Sequence, residues 1–179
     1  MQFLVAVTII ATCITGQSAP PAQKTAEAKP SDVSSIDDII GSLYSVISGP
    51  AGQKRDWDRM KSLFMPDGRL TATSRRPNGT VGHGSMTVQG YIDRSGPYLE
   101  KEGFFEKEIS RSTHRFGDIA QVFSTYASRH LPEDKEPFER GINSIQLYSD
   151  GKRWWIVSVL WEGESKELKL PTEFLKKNG

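Results

Sequence analysis

The sequence predicts an α+β fold with helices first and the main sheet last. Three observations predict it. Apolar residues from Ile36 to Phe64 recur at helical spacing. From Phe104 onward the pattern switches to period-two alternation. The alternating runs are joined by tight-turn pairs, Gly117-Asp118 and Asp150-Gly151, which make neighbouring strands antiparallel. That order suits a sheet packed against separate helices rather than an alternating parallel sheet.

Each element follows from its residues. Ile36, Ile39, Ile40, Leu43, Val46 and Ile47 form one apolar helix face, with Ser35 as N-cap and Asp38 three residues on. Gly49-Pro50 stops this helix. A second, short helix carries Trp57, Met60, Leu63 and Phe64 behind Asp56 as cap, and Pro66-Asp67-Gly68 ends it. "RLTATS" is a strand and Asn78-Gly79 a hairpin signal, with "TVGHG" returning. "SMTVQGYIDRS" forms a third helix that ends at Ser95-Gly96-Pro97. "FFEKEISRSTHRF", "IAQVFSTYASRH", "INSIQLYS" and "RWWIVSVLWEG" complete the set as strands, with a polar loop at "LPEDKEPFERG".

The chain of 179 residues suits one domain with short extensions. Its net charge of +1 comes without a basic stripe, since only short pairs such as Arg75-Arg76 occur. No nucleic-acid partner is expected, because that affinity needs several phosphate contacts. Phe3 to Thr15 is an uncharged apolar run with the length of a signal-peptide core, too short to span a membrane. Cleavage after Gly16 leaves residues 17–33 as a linker rich in Ala, Pro, Gln and Lys, residues 34–165 as the domain and residues 166–179 as a tail. The expected destination is export, periplasmic or extracellular. Cys13 is the only cysteine, and "IATC" offers a lipoprotein box as the one route to membrane attachment.

Three of the four tryptophans fall between Trp154 and Trp161. Regular alternation places Trp155, Val157, Val159 and Trp161 on one face of that strand, and Trp154, Ile156, Ser158 and Leu160 on the other. Two readings stand: packing in a core or interface, or the wall of a cavity.

"LFMPDGRL", the helix after the first hairpin, "HRFGDIAQVFSTYASR" and "GINSIQLYSDGKRWWIVSVLWE" together resemble the nuclear transport factor 2-like superfamily, with SnoaL-like bacterial domains as the nearest branch. The resemblance spans roughly residues 37–162. It implies a curved antiparallel sheet wrapped around about three helices, a cone with an internal pocket, and a possible homodimer through the sheet. It also implies a choice of functions: a module that binds a small apolar or amphipathic molecule, a cofactor-independent isomerase, dehydratase or cyclase with an inward-facing base, or a structural dimerisation domain.

Proton-transfer chemistry in such a cone needs an inward acid or imidazole and a hydrogen-bond donor opposite. His114 and Tyr126, each mid-strand, are the candidates for those roles. Asn143 shares a face with Ile145 and Leu147 and is a candidate ligand anchor. Trp161 is a candidate wall, and Tyr91 and Tyr98 flank the expected mouth. His83 between glycines and His130 beside the polar loop read as surface residues, and Asp67 as a turn residue. The histidines lack metal-ligand spacing, and no phosphate loop or dinucleotide fingerprint occurs, so neither metal nor cofactor is expected.

Overall fold

The computed structural model describes residues 27–76 and 78–175; the expected signal segment and Cys13 lie outside them. The chain runs α1 (Pro30–Val33), α2 (Ile36–Ile47), α3 (Trp57–Leu63), β1 (Phe64–Arg75), β2 (Val81–Thr87), α4 (Val88–Glu102), β3 (Phe105–Phe116), β4 (Ile119–Arg129), β5 (Glu139–Ser149) and β6 (Trp154–Gly163), then a 3-10 turn at Thr172–Leu175. Six strands form one curved, unclosed sheet in the order β2-β1-β6-β5-β4-β3. All neighbours are antiparallel except β1 and β6, which run parallel.

The helices form for the reasons legible in their sequences. The Ser35 hydroxyl accepts from the Asp38 amide at 3.0 Å and caps α2. Ile39, Ile40, Leu43, Val46 and Ile47 are buried on one side of it. Asp56 caps α3 by accepting from Arg59 N. Together with Leu70, Val122, Ile145, Leu147, Trp154, Ile156 and Val159 from the sheet, these side chains make one core.

β1 opens at Phe64 and takes in Pro66-Asp67-Gly68, expected as a turn, and Ser85–Thr87, expected to open the third helix, end β2 instead. Three further boundaries differ from the sequence reading. The fold starts before Ser34: residues 30–33 are helical, and Asp32 and Val33 are buried. Asp32 receives two guanidinium bonds from Arg59 and the Ser42 hydroxyl, which ties α1 to α3 and α2. That pairing, hidden in a polar stretch, is why the segment expected as linker is ordered there. Second, α4 does not stop at Ser95-Gly96-Pro97 but continues to Glu102. Gly96 is buried against Trp57, where an added Cβ would stand 3.2 Å from the indole. Tertiary packing holds the helix through its breaker residues. Third, the tail is partly structured: Phe174 packs edge-on against Phe123 on the outer face of the sheet at 5.2 Å.

Besides a longer register irregularity in β1 between Phe64 and Arg69, two single-residue β-bulges shape the sheet. Glu108 pairs with Tyr126 and Ser110 with Thr125, so Ile109 is an extra residue in β3. Gln146 pairs with Ser158 and Leu147 with Ile156, so Val157 is an extra residue in β6. A bulge bends its strand and shifts the phase of every side chain beyond it. In β6, Trp154 and Ile156 therefore face inward with Val159 and Trp161, against the grouping expected from plain alternation. Trp155 points outward, its ring 3.6 Å from the Arg153 guanidinium carbon and its indole N–H on Asp150 at 2.8 Å.

Candidate functional site

A cavity of about 360 Å³ lies between the inner face of the sheet and helices α2, α3 and α4. Leu43, Ile47, Met60, Leu70, Leu99 and Val159 supply its apolar wall. Trp161 and Tyr91 meet across it edge to face, with ring centroids 6.4 Å apart. Tyr91, Arg94, Ser95 and Tyr98 reach it from α4, and Glu106, Tyr126, Ser128, Glu139 and Asn143 from the sheet.

The centre of its polar side is Glu106. The Ser128 hydroxyl donates to Glu106 Oε2 at 2.8 Å, and Asn143 Nδ2 lies 3.4 Å from Oε1. Burial in this apolar surrounding pushes the Glu106 carboxyl up to about 7, against the pull of those two donors, and the nearby Glu139 pushes the same way. A carboxyl so placed is balanced between acid and base near neutral pH. Asn143 Nδ2 also donates to the buried Tyr44 hydroxyl at 3.1 Å, which meets Ser124 Oγ at 2.7 Å.

Tyr126 is buried and donates to Glu139 Oε1 at 2.7 Å. Its ring fits because residue 141 is glycine: a Cβ there would stand 2.5 Å from the Tyr126 oxygen and overlap the Glu162 carbonyl. Desolvation, followed by the charge of Glu139, holds the Tyr126 hydroxyl far above its ordinary value, so it acts as a donor. Tyr91 is likewise raised, by burial and then by the charge of Glu106. Among the described residues the Tyr91 hydroxyl has no protein hydrogen-bond partner.

The structure brings Asn143, Trp161, Tyr91, Tyr98 and Tyr126 to one cavity, with Asn143 and Trp161 as direct cross-strand partners. It does not bring His114 there. His114 is exposed and pairs with Gln121, facing away from the cavity, with Ser112 Oγ at 3.4 Å from its Nε2. The bulge at Ile109 is the reason. By plain alternation His114 shares a face with Glu106 and Glu108; the extra residue turns it outward and brings Arg111 inward instead. Glu106 is the acid that sequence reasoning passed over. Its signal was present in "FFEKE", where two acids share one face of a strand that opens on aromatic residues. Among the described residues, no group of three His, Cys, Asp or Glu side chains is placed to hold a metal ion.

This architecture is shared with solved structures. A protein of unknown function with a cystatin-like fold from Nostoc punctiforme PCC 73102 superposes with a TM-score of 0.54 at 13% identity, covering 73% of this chain and 90% of that one. The chain has the nuclear transport factor 2-like fold. A nuclear transport factor 2-like superfamily protein from Salmonella enterica serovar Typhimurium LT2 superposes with a TM-score of 0.51 at 18% identity, covering 71% of this chain and 87% of that one. LinA does so at 0.53 and 12%, covering 74% and 85%. At these identities the likeness is one of nuclear transport factor 2-like fold and leaves the SnoaL-like branch an expectation. No protein-family model and no curated protein sequence matches the chain.

Proposed function

We propose that the cavity holds a small amphipathic molecule and that Glu106 takes a proton from it, as the base of a cofactor-independent isomerase or dehydratase. The observation that carries this reading is a carboxyl in an apolar cavity, held by Ser128 and Asn143. In the step the Glu106 carboxylate removes a proton from carbon beside a carbonyl. The electron pair of that C–H bond forms a new C=C bond as the C=O π pair moves to the oxygen, which accepts a hydrogen bond from the Tyr91 hydroxyl. Return of the proton to another carbon completes an isomerisation; loss of a β-hydroxyl as water completes a dehydration.

A second reading, binding without chemistry, draws on the apolar wall and on the Trp161–Tyr91 pair. One experiment separates them. The chain is incubated in D2O with a panel of small cyclic ketones and enones, while tryptophan fluorescence is titrated with an apolar naphthalene probe. Catalysis predicts deuterium incorporation that falls by about 10²–10⁴-fold in Glu106→Gln with probe affinity retained. Probe binding without incorporation by the wild type leaves the binding reading.

Export with removal of residues 1–16 is a further proposal, supported by the apolar run in the sequence and tested by N-terminal sequencing of secreted material. A homodimer through the sheet is a further proposal. Its outer face already carries Phe174 on Phe123, so a second copy has to use the strand positions beyond that contact.

A further inference from the structure

The side chains behind Glu106 form a single hydrogen-bonded chain that reaches the surface. Arg111 pairs with Glu108 at 2.7 Å and also with Asp37 on α2. Ser124 Oγ bonds Glu108 Oε2, Tyr44 meets Ser124, and Asn143 Nδ2 lies on both Tyr44 and Glu106. Ser124 is 0% exposed, Tyr44 5% and Asn143 7%, so the middle of the chain is buried.

The direction of every bond in it follows from one end. A carboxylate paired with a guanidinium only accepts. Ser124 has one proton, and it goes to Glu108. Ser124 Oγ therefore accepts from Tyr44, whose single proton is then committed. The Tyr44 oxygen in turn accepts from Asn143. That requirement turns the amide nitrogen of Asn143, not its oxygen, toward Tyr44 and hence toward Glu106.

We propose that Tyr44 is a positioning residue: with Ser124 and the Arg111–Glu108 pair it locks the Asn143 amide so that N–H, rather than C=O, faces the Glu106 carboxylate. This rests on the reading of Glu106 as the reactive group, because only then does its protonation matter to function. Tyr44 itself lies behind the cavity wall, and its hydrogen-bonded link to Glu106 runs through Asn143.

The titratable and charged groups that act on Glu106 or share its cavity are Tyr44 on α2, Tyr91, Arg94 and Tyr98 on α4, Tyr126 on β4 and Glu139 on β5. The donor from Asn143 lowers the Glu106 midpoint, so losing it raises that midpoint. Three substitutions break the lock without touching Glu106. Tyr44→Phe removes the acceptor, and Ser124→Ala frees the Tyr44 proton to bond Asn143 Oδ1. Glu108→Gln reverses the chain, since a glutamine amide turned carbonyl-first to Arg111 donates to Ser124. Ser124 then donates to Tyr44 and Tyr44 to Asn143, which flips.

Glu108→Gln is the sharpest, because it also removes a negative charge. Coulomb's law alone moves the Glu106 midpoint down; the lock moves it up. The experiment is a ¹³C NMR titration of the full chain with carboxyl-labelled glutamate, with the Glu106 signal assigned by its loss in Glu106→Gln. The expected result is an upward shift of about one pH unit in Tyr44→Phe and Ser124→Ala and a smaller upward shift in Glu108→Gln, relative to wild type. A downward or absent shift in Glu108→Gln overturns the lock. If that variant does not fold, an unmoved midpoint in both Tyr44→Phe and Ser124→Ala, with only stability lost, overturns it equally. Shifts are read against wild type whatever its own midpoint, so a failed lock and a failed base assignment are told apart.

Discussion

Glu106 and Asp32 are both carboxyls drawn into the protein, and they answer pH in opposite directions. Asp32 is held below its ordinary value, first by hydrogen bonds from Arg59. Its contribution to stability is present above about pH 3.8 and is lost as pH falls through the lowered native value. Glu106 is raised, so its contribution is full below about pH 4.5 and is lost as pH rises through about 7. Urea midpoints are therefore expected to decline between pH 5 and pH 8, and Glu106→Gln to flatten that decline. An unchanged slope in the variant would show that the carboxyl is not desolvated. Gly141 makes a separate test of how the site is packed. Gly141→Ala sets a methyl group against Tyr126 and the Glu162 carbonyl, at an expected cost of about 1–3 kcal/mol in chemical denaturation. Wild-type stability in that variant would mean the Tyr126 ring is free to move off Glu139.

The bulges in β3 and β6 turn a regular sheet into the wall of a cavity. Val157 is the extra residue in β6, and its removal leaves Trp154, Ile156, Val159 and Trp161 in one inward phase with an unbroken register against β5. Deletion of Val157 is therefore expected to leave a folded chain with a flatter sheet, in which the apolar probe binds at least tenfold more weakly; undiminished binding would show that the bulge does not open the cavity. The same two residues mark what the sequence could and could not convey. Helix faces were legible because 3.6-residue spacing survives small errors of boundary, as at Ile39, Ile40 and Leu43. The strands and their turns were legible from alternation and from Gly117 and Gly151, both at positive φ. Alternation past Ile109 and Val157 was not, because an inserted residue with ordinary chemistry carries no local signature. That is why His114, expected inside, lies outside, while Asn143, on a strand whose inward phase from Gly141 to Leu147 is unbroken, was placed on the cavity wall. The continuation of α4 through Pro97 was hidden for a different reason: its support, Trp57 against Gly96, is a contact between distant parts of the chain.

Taken as one body, the molecule closes its cavity with three kinds of tie. The carbonyl-lined Arg55 guanidinium joins the end of α2 to α4 through Ile47, Gly49 and Leu99. The Asp32–Arg59 pair binds the first helical turn to α3. The buried chain from Arg111 to Glu106 runs between α2 and the sheet. Against this frame the three clustered tryptophans have separate tasks. Trp154 is core, Trp155 braces the Asp150-Gly151 turn from outside, and Trp161 lines the cavity. Proton transfer in this cavity requires a carboxyl poised near neutrality. The most direct measurement is the ¹³C titration of the Glu106 carboxyl in the wild-type chain, with and without the apolar probe. The expected midpoint is about 7, rising further when the probe displaces water from the cavity. A midpoint near 4.5, unmoved by the probe, would contradict it.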